Sequence, residues 1–261
     1  MKIAFTGKGG VGKTTIVAVF ARVLKERGHK VILIDADPDM NLATVLGVPP
    51  GLVITPIVEL KTLIAERTGV QPGQPSPLYK MNPKVDDIPD QYCVEYKGLK
   101  LLVMGTVQRG GGGCACPENA FLKTLLSYLV VARDEWVLLD MEAGIEHLGR
   151  GTAMGVDHMI VVVEPNKTSL ETAHRIRKLS ADLGVRHLHV VGNKVRSDDE
   201  TAFLENALDG FSILGYIPYS DDIRRISLNV LTPFDVSAQS LAPFDSVIGR
   251  LEGMRMEGVR L

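Results

Sequence analysis

Residues 7–15 read Gly-Lys-Gly-Gly-Val-Gly-Lys-Thr-Thr and stand between an apolar run, Lys2–Thr6, and a helical pattern over Lys13–Arg27. Glycine forfeits conformational entropy on folding, so glycines this dense belong where the backbone turns sharply or lets another group approach closely. A strand that ends in such a turn and feeds a helix is the opening unit of an α/β fold. The rest of the chain repeats that unit. Further strands are predicted at Lys30–Asp35, Lys100–Met104, Glu135–Asp140, His158–Val163, His187–Val191 and Ser212–Ile217, with a shorter one at Tyr92–Tyr96. Helices are predicted at Thr55–Glu66, Glu118–Ala132, Ser169–Leu183, Asp199–Leu208 and Ser246–Met256. The strand runs lack polar alternation, which marks strands covered on both faces. The expected fold is α/β: a single domain over residues 1–261, with a mostly parallel sheet flanked by helices. Gln71–Pro89 is rich in proline and reads as a long surface loop.

Composition removes several classes of function. With 261 residues, 45% of them hydrophobic, the chain can bury one sizeable core. A formal net charge of −2 offers no basic surface for nucleic acid or anionic lipid. No apolar run approaches the roughly 20 residues of a membrane-spanning helix. The start, MKIAFTGKGG, has no long apolar segment of the signal-peptide kind. A cytoplasmic protein is expected, with no membrane and no nucleic-acid partner. Its three cysteines then favour metal or redox chemistry over structural disulfides.

The glycine loop satisfies two phosphate motifs. Gly7, Gly9 and Gly12 match G-x-G-x-x-G, and Asp35 ends the second strand where a ribose-binding acid would stand. Gly7 to Thr14 also matches the eight-position P-loop, G-x-x-x-x-G-K-[ST]. Lys13 and Thr14 decide between them. A pyrophosphate held by backbone amides alone needs neither, whereas a nucleoside triphosphate with Mg²⁺ needs a cation on its β- and γ-phosphates and a hydroxyl on the metal. Gly9, Gly10, Val11, Gly12, Lys13, Thr14 and Thr15 are therefore the expected ATP cradle, with Thr14 on Mg²⁺. Asp140, closing the Val137–Asp140 run, supplies a second acid near that metal.

Lys8 makes the loop more specific. KGGVGKTT resembles the deviant P-loop of the ATPases related to MinD, ParA, Mrp and the nitrogenase iron protein. That resemblance implies a homodimer in which Lys8 reaches the partner's phosphates, as an arginine finger does. It gives Lys8, Lys13 and Asp37 catalytic roles, Asp37 positioning the attacking water in Asp35-Ala-Asp37-Pro38. It makes Asp140-Met-Glu-Ala-Gly144 a second nucleotide switch. It assigns Asn193 and Lys194 to the adenine edge and places Pro218 over the base.

One segment lies outside this ATPase logic. Gly110–Gly113 run into Cys114-Ala-Cys116-Pro117. On extended backbone, side chains at i and i+2 point to the same side, so the two thiolates can grip one soft metal ion. A tetrahedral site needs four ligands. The nearest other candidate in sequence, Cys93, reads as a small buried hydrophobe. Chain folding can bring a histidine over from elsewhere in the chain; the simpler completion is a second copy of the protein, two Cys pairs facing each other across a two-fold axis. GGGGCACPENAFLK together with DMEAGIEHLGRGT resembles the CooC/AcsF-type nickel-insertion ATPases of carbon monoxide dehydrogenase and acetyl-CoA synthase. The resemblance implies ATP-driven delivery of Ni²⁺, or Zn²⁺ in its place, to a nickel enzyme. An Mrp-like iron–sulfur scaffold is the alternative, although its usual motif is C-x-x-C. An electron donor like the nitrogenase iron protein is disfavoured because His147 occupies its cluster-cysteine position. A MinD- or ParA-like positioning ATPase lacks its membrane helix or basic surface here.

Overall fold

The computed structural model describes residues 1–70, 78–105, 117–131, 135–142, 153 and 155–258. Eight strands form one sheet: β1 Lys2–Thr6, β2 Val31–Asp35, β3 Val94–Tyr96, β4 Leu99–Val103, β5 Trp136–Asp140, β6 His158–Val163, β7 Leu188–Val195 and β8 Ser212–Pro218. Their order is β3-β4-β2-β5-β1-β6-β7-β8, and only the β3–β4 pair is antiparallel. The strands of the centre are buried throughout, as parallel strands covered on both faces must be.

Helices α1 Lys13–Glu26, α2 Leu42–Leu46, α3 Lys61–Thr68, α4 Ile88–Tyr92, α5 Pro117–Val131, α6 Lys167–Leu183, α7 Asp198–Ala207, α8 Asp221–Ser227 and α9 Ala238–Gly258 complete the described elements, with 3₁₀ turns at Ile57–Glu59 and Pro233–Asp235. The two faces of the sheet carry separate cores because side chains alternate along each strand. Ile3, Phe5 and Leu33 join α1 and α9 on one face; Ala4, Ile32 and Ile34 join α5 and α6 on the other. Phe20 of α1 makes edge contacts with Phe5 at 5.2 Å and Phe244 at 5.9 Å between ring centres. Truncating Phe20, wholly buried, to alanine should cost roughly 3–5 kcal/mol.

The expected architecture is present, and the differences are local. The helix expected over Thr55–Glu66 divides at Leu60 into the 3₁₀ turn and α3. The expected Tyr92–Tyr96 strand starts only at Val94, because Tyr92 closes α4, whose first two residues, Ile88 and Pro89, fall at the end of the expected proline-rich loop. Cys93 is half-buried against the α5 face of the sheet. The last helix begins at Ala238, eight residues before the expected Ser246, and runs through Pro243. Its start is tied down by Asp222, whose Oδ2 accepts from the Ser237 hydroxyl at 2.7 Å. No helix among the described residues is long and apolar enough to cross a membrane.

Candidate functional site

Every parallel strand points its carboxyl end to the same edge of the sheet, and β1 leaves that edge between β5 and β6. The chain runs away from β1 in opposite directions on its two sides, which opens a crevice there. The glycine loop fills it. Gly7 has φ 145°, and a Cβ on it would meet the Val162 carbonyl oxygen at 2.4 Å. Gly12 has φ 90° and caps α1, with Asn193 Nδ2 2.7 Å from where its Cβ would be. No other residue type fits either place. The first turn of α1 carries no acidic side chain, so its amide ends and dipole face the crevice as an anion site. Lys13 and Thr15 are buried, Val11 is buried, and Thr14 is half-buried. Lys8, Gly9 and Gly10 are exposed.

Two acids stand beside the loop. The Asp35 carboxylate is taken up by its own chain: its oxygens accept from the amides of Asp37 at 3.2 Å and Leu42 at 3.0 Å. Burial pushes its pKa up to about 6 against those two amides, and the Asp37 charge adds to the rise. Asp35 thus shapes the loop that carries Asp37, whose own Oδ1 accepts from the Asp39 amide at 3.0 Å. Asp140 is different. Both of its oxygens are buried with no hydrogen-bond partner among the described residues. Burial pushes its pKa up to about 7; the Thr14 hydroxyl draws it down without meeting hydrogen-bond geometry, Asp35 and Asp37 raise it and Lys13 lowers it. A buried carboxylate left open beside a threonine hydroxyl supplies the oxygen donors a hard divalent cation requires, and the Lys13 ammonium beside them is a cation for phosphate.

Across the crevice, Asn193 and Lys194 lie just before the end of β7, and Pro218 ends β8 as the partner of Val195, the last residue of β7. Asn193 is 3% exposed, and its Nδ2 donates to the Val11 carbonyl at 2.7 Å. The expected base-recognition pair therefore packs on the phosphate loop, with Asn193 committed to it. Lys8 rests in cis: its Nζ donates to the Thr168 hydroxyl at 2.9 Å, which in turn donates to Asn166 Oδ1 at 2.9 Å. Thr168, Asn166 and Glu164 were not singled out by motif. The one local signal was Asn166, an N-cap whose Oδ1 accepts from the Ser169 amide at 2.9 Å. Cys114, Cys116, Gly144 and His147 lie outside the described residues. Among those described, no three His, Cys, Asp or Glu side chains are grouped to hold a metal.

Comparison with known proteins agrees with this geometry. The CobQ/CobB/MinD/ParA nucleotide binding domain matches residues 2–234. The carbon monoxide dehydrogenase accessory protein CooC of Rhodospirillum rubrum is 46% identical over 239 residues, 91% of this chain and 90% of that one. An uncharacterised ATP-binding protein of Methanocaldococcus jannaschii is 46% identical over 227 residues, covering 86% and 88%. In fold, the chain resembles MinD in the MinC:MinD cell division complex of Aquifex aeolicus, with a TM-score of 0.71, 21% identity, and coverage of 97% and 96%. The chain belongs to the CobQ/CobB/MinD/ParA nucleotide-binding family, as an ATPase of the CooC type.

Proposed function

We propose that this protein is an ATP-dependent dimeric metallochaperone. It carries Ni(II), with Zn(II) accepted in its place, on the thiolates of Cys114 and Cys116 shared between two copies, and delivers it to a carbon monoxide dehydrogenase or acetyl-CoA synthase. The observation that carries the reading is the likeness to CooC along nine-tenths of the chain, joined to a Cys-x-Cys that the ATPase fold itself does not use. The placement of the flanks supports it. Gly105 follows β4, Pro117 opens α5, and β4 lies beside β2, with Asp37 two residues beyond the end of β2. The chain thus leaves β4 and β2 along the same edge of the sheet.

The mechanism follows from the residues. The amides from Gly12 to Thr15 and the Lys13 ammonium bind the β- and γ-phosphates. Thr14 and Asp140 would hold Mg²⁺, which when bound neutralises charge along the phosphates. Asp37 orients the attacking water. Lys8 exchanges Thr168 for the partner's phosphates. The loop from Asp37 to Leu42, hung on Asp35, reports the state of the γ-phosphate to the neighbouring strand β4 and so to the thiolates.

The test is a Ni(II) titration of anaerobically purified protein with mass measured by sedimentation. One ion per two chains, with doubling of mass, is expected; Cys114→Ser or Cys116→Ser should abolish both while ATP still binds. One ion per chain without a change in mass would overturn the shared site. Stoichiometric iron and sulfide would establish the scaffold reading in its place.

A further inference from the structure

The end of β7 is irregular in a way that regular pairing does not require. Its register against β8 slips between Asn193 and Val195, and Lys194, in the slip, has φ 59°. A bulge turns a side chain off its usual course. A lysine keeps a left-handed backbone only where its surroundings impose it. Here the surroundings are the phosphate loop. Lys194 Nζ donates to the Gly10 carbonyl at 3.0 Å and to Glu164 Oε1 at 2.5 Å. Asn193 Nδ2 donates to the next carbonyl, that of Val11. Glu164 is fixed in turn: its Oε2 accepts from Asn166 Nδ2 at 3.2 Å, and its amide donates to Ser169 Oγ at 3.0 Å.

Two successive carbonyls of the loop are therefore held from outside. All described peptide bonds are trans, so each N–H points opposite the carbonyl of its own peptide. Holding the Gly10 carbonyl aims the Val11 N–H the other way; holding the Val11 carbonyl does the same for Gly12. The Val11 amide reaches only the Lys8 carbonyl, at a long 3.4 Å, and the Gly12 amide donates to no described residue.

We propose that Glu164, Lys194 and Asn193 orient the loop's amides toward the polyphosphate, with Glu164 a positioning residue that acts through Lys194. The inference rests on the nucleotide site and deepens it: by holding the loop's carbonyls these side chains govern affinity for phosphate, besides any contact they make with the base. A ligand with no base at all must then feel their loss.

Calorimetry on the full chain tests this with two probes, MgATP and magnesium tripolyphosphate. Lys194→Met, at a half-exposed position, and Asn193→Ala should each weaken magnesium tripolyphosphate as well as MgATP by about tenfold. Glu164→Ala should do the same, Glu164→Gln should retain most of the affinity, and Glu164→Ala should add nothing on top of Lys194→Met. Weakened MgATP with unchanged tripolyphosphate would assign the pair to the base and overturn the proposal. So would folded variants that bind both ligands like the parent. Parent protein that binds neither ligand would instead refute the nucleotide site itself.

Discussion

Asp35 and Asp140 lie opposite each other in register on neighbouring parallel strands, both wholly buried, yet only Asp35 has its oxygens filled. The same residue type on the same layer thus does opposite work. Asp140→Asn should stabilise the ligand-free protein at pH 8 by about 2 kcal/mol, because it removes a buried negative charge that accepts no hydrogen bond from any described residue. It should also weaken Mg²⁺-dependent ATP binding at least tenfold. Asp35→Asn replaces an acceptor with a donor against a backbone amide, so it should destabilise by about 1–3 kcal/mol. Urea unfolding of both variants decides; equal effects of one sign would remove the distinction.

Lys13→Ala should abolish tight MgATP binding. Its ammonium is the cation placed inside the crevice beside Asp140, while Lys8 is turned out to Thr168. Equilibrium binding of a fluorescent ATP analogue measures this, and parental affinity in the variant would refute the phosphate-cradle assignment.

Asp37→Ala should bind ATP but hydrolyse it on the order of 10²-fold more slowly, the usual contribution of a group that positions or activates water. An ATP-bound dimer should then accumulate. Lys8→Ala should also stop hydrolysis, yet weaken that dimer. Sedimentation with a non-hydrolysable analogue separates the two; dimers of equal strength would show that Lys8 does not act across subunits.

The histidines at the far end of the sheet predict a pH effect. His158 Nδ1 and His189 Nε2 lie 3.0 Å apart, both buried. Burial, with the neighbouring His158 and His187, pushes His189 down to about 4, and burial also lowers His158. The unfolded chain takes up a proton near pH 6.5 that the folded chain refuses until far lower, so this stability is complete above about 6.5 and is lost as pH falls toward 4. In His189→Gln the denaturation midpoint should fall less steeply between pH 6.5 and 4.5. Parallel slopes in parent and variant would rule the pair out as the cause.

The phosphate loop was legible because its chemistry depends on spacing along the chain, and Gly7, Gly12, Lys13 and Thr14 reach their places through a single turn. Asp35 and Asp140 were legible as strand ends; their division of labour was not, because it depends on which amides fold back over each carboxylate. Glu164 left no motif, since its partner Lys194 is 30 residues away and meets it only where β6 and β7 pair. The base-recognition role of Asn193 and Lys194 rested on resemblance; their hydrogen bonds to the Val11 and Gly10 carbonyls were not legible, because they depend on a slip in register between β7 and β8. The short helices α2, α4 and α8, of five to seven residues, span too few turns to show a helical period.

The adjacency of β4 and β2 has a further consequence. The span between Gly105 and Pro117 joins two elements whose own ladder and core contacts lie elsewhere, in β4 pairing with β2 and β3 and in α5 packing beneath the sheet. Asp35 and Asp140 stand on β2 and β5, and β4 and α5 are held by their own pairing and packing. On the function proposed above, a change of cargo would be a change within this one crossover, while the nucleotide site is built on the ends of β1, β2 and β5.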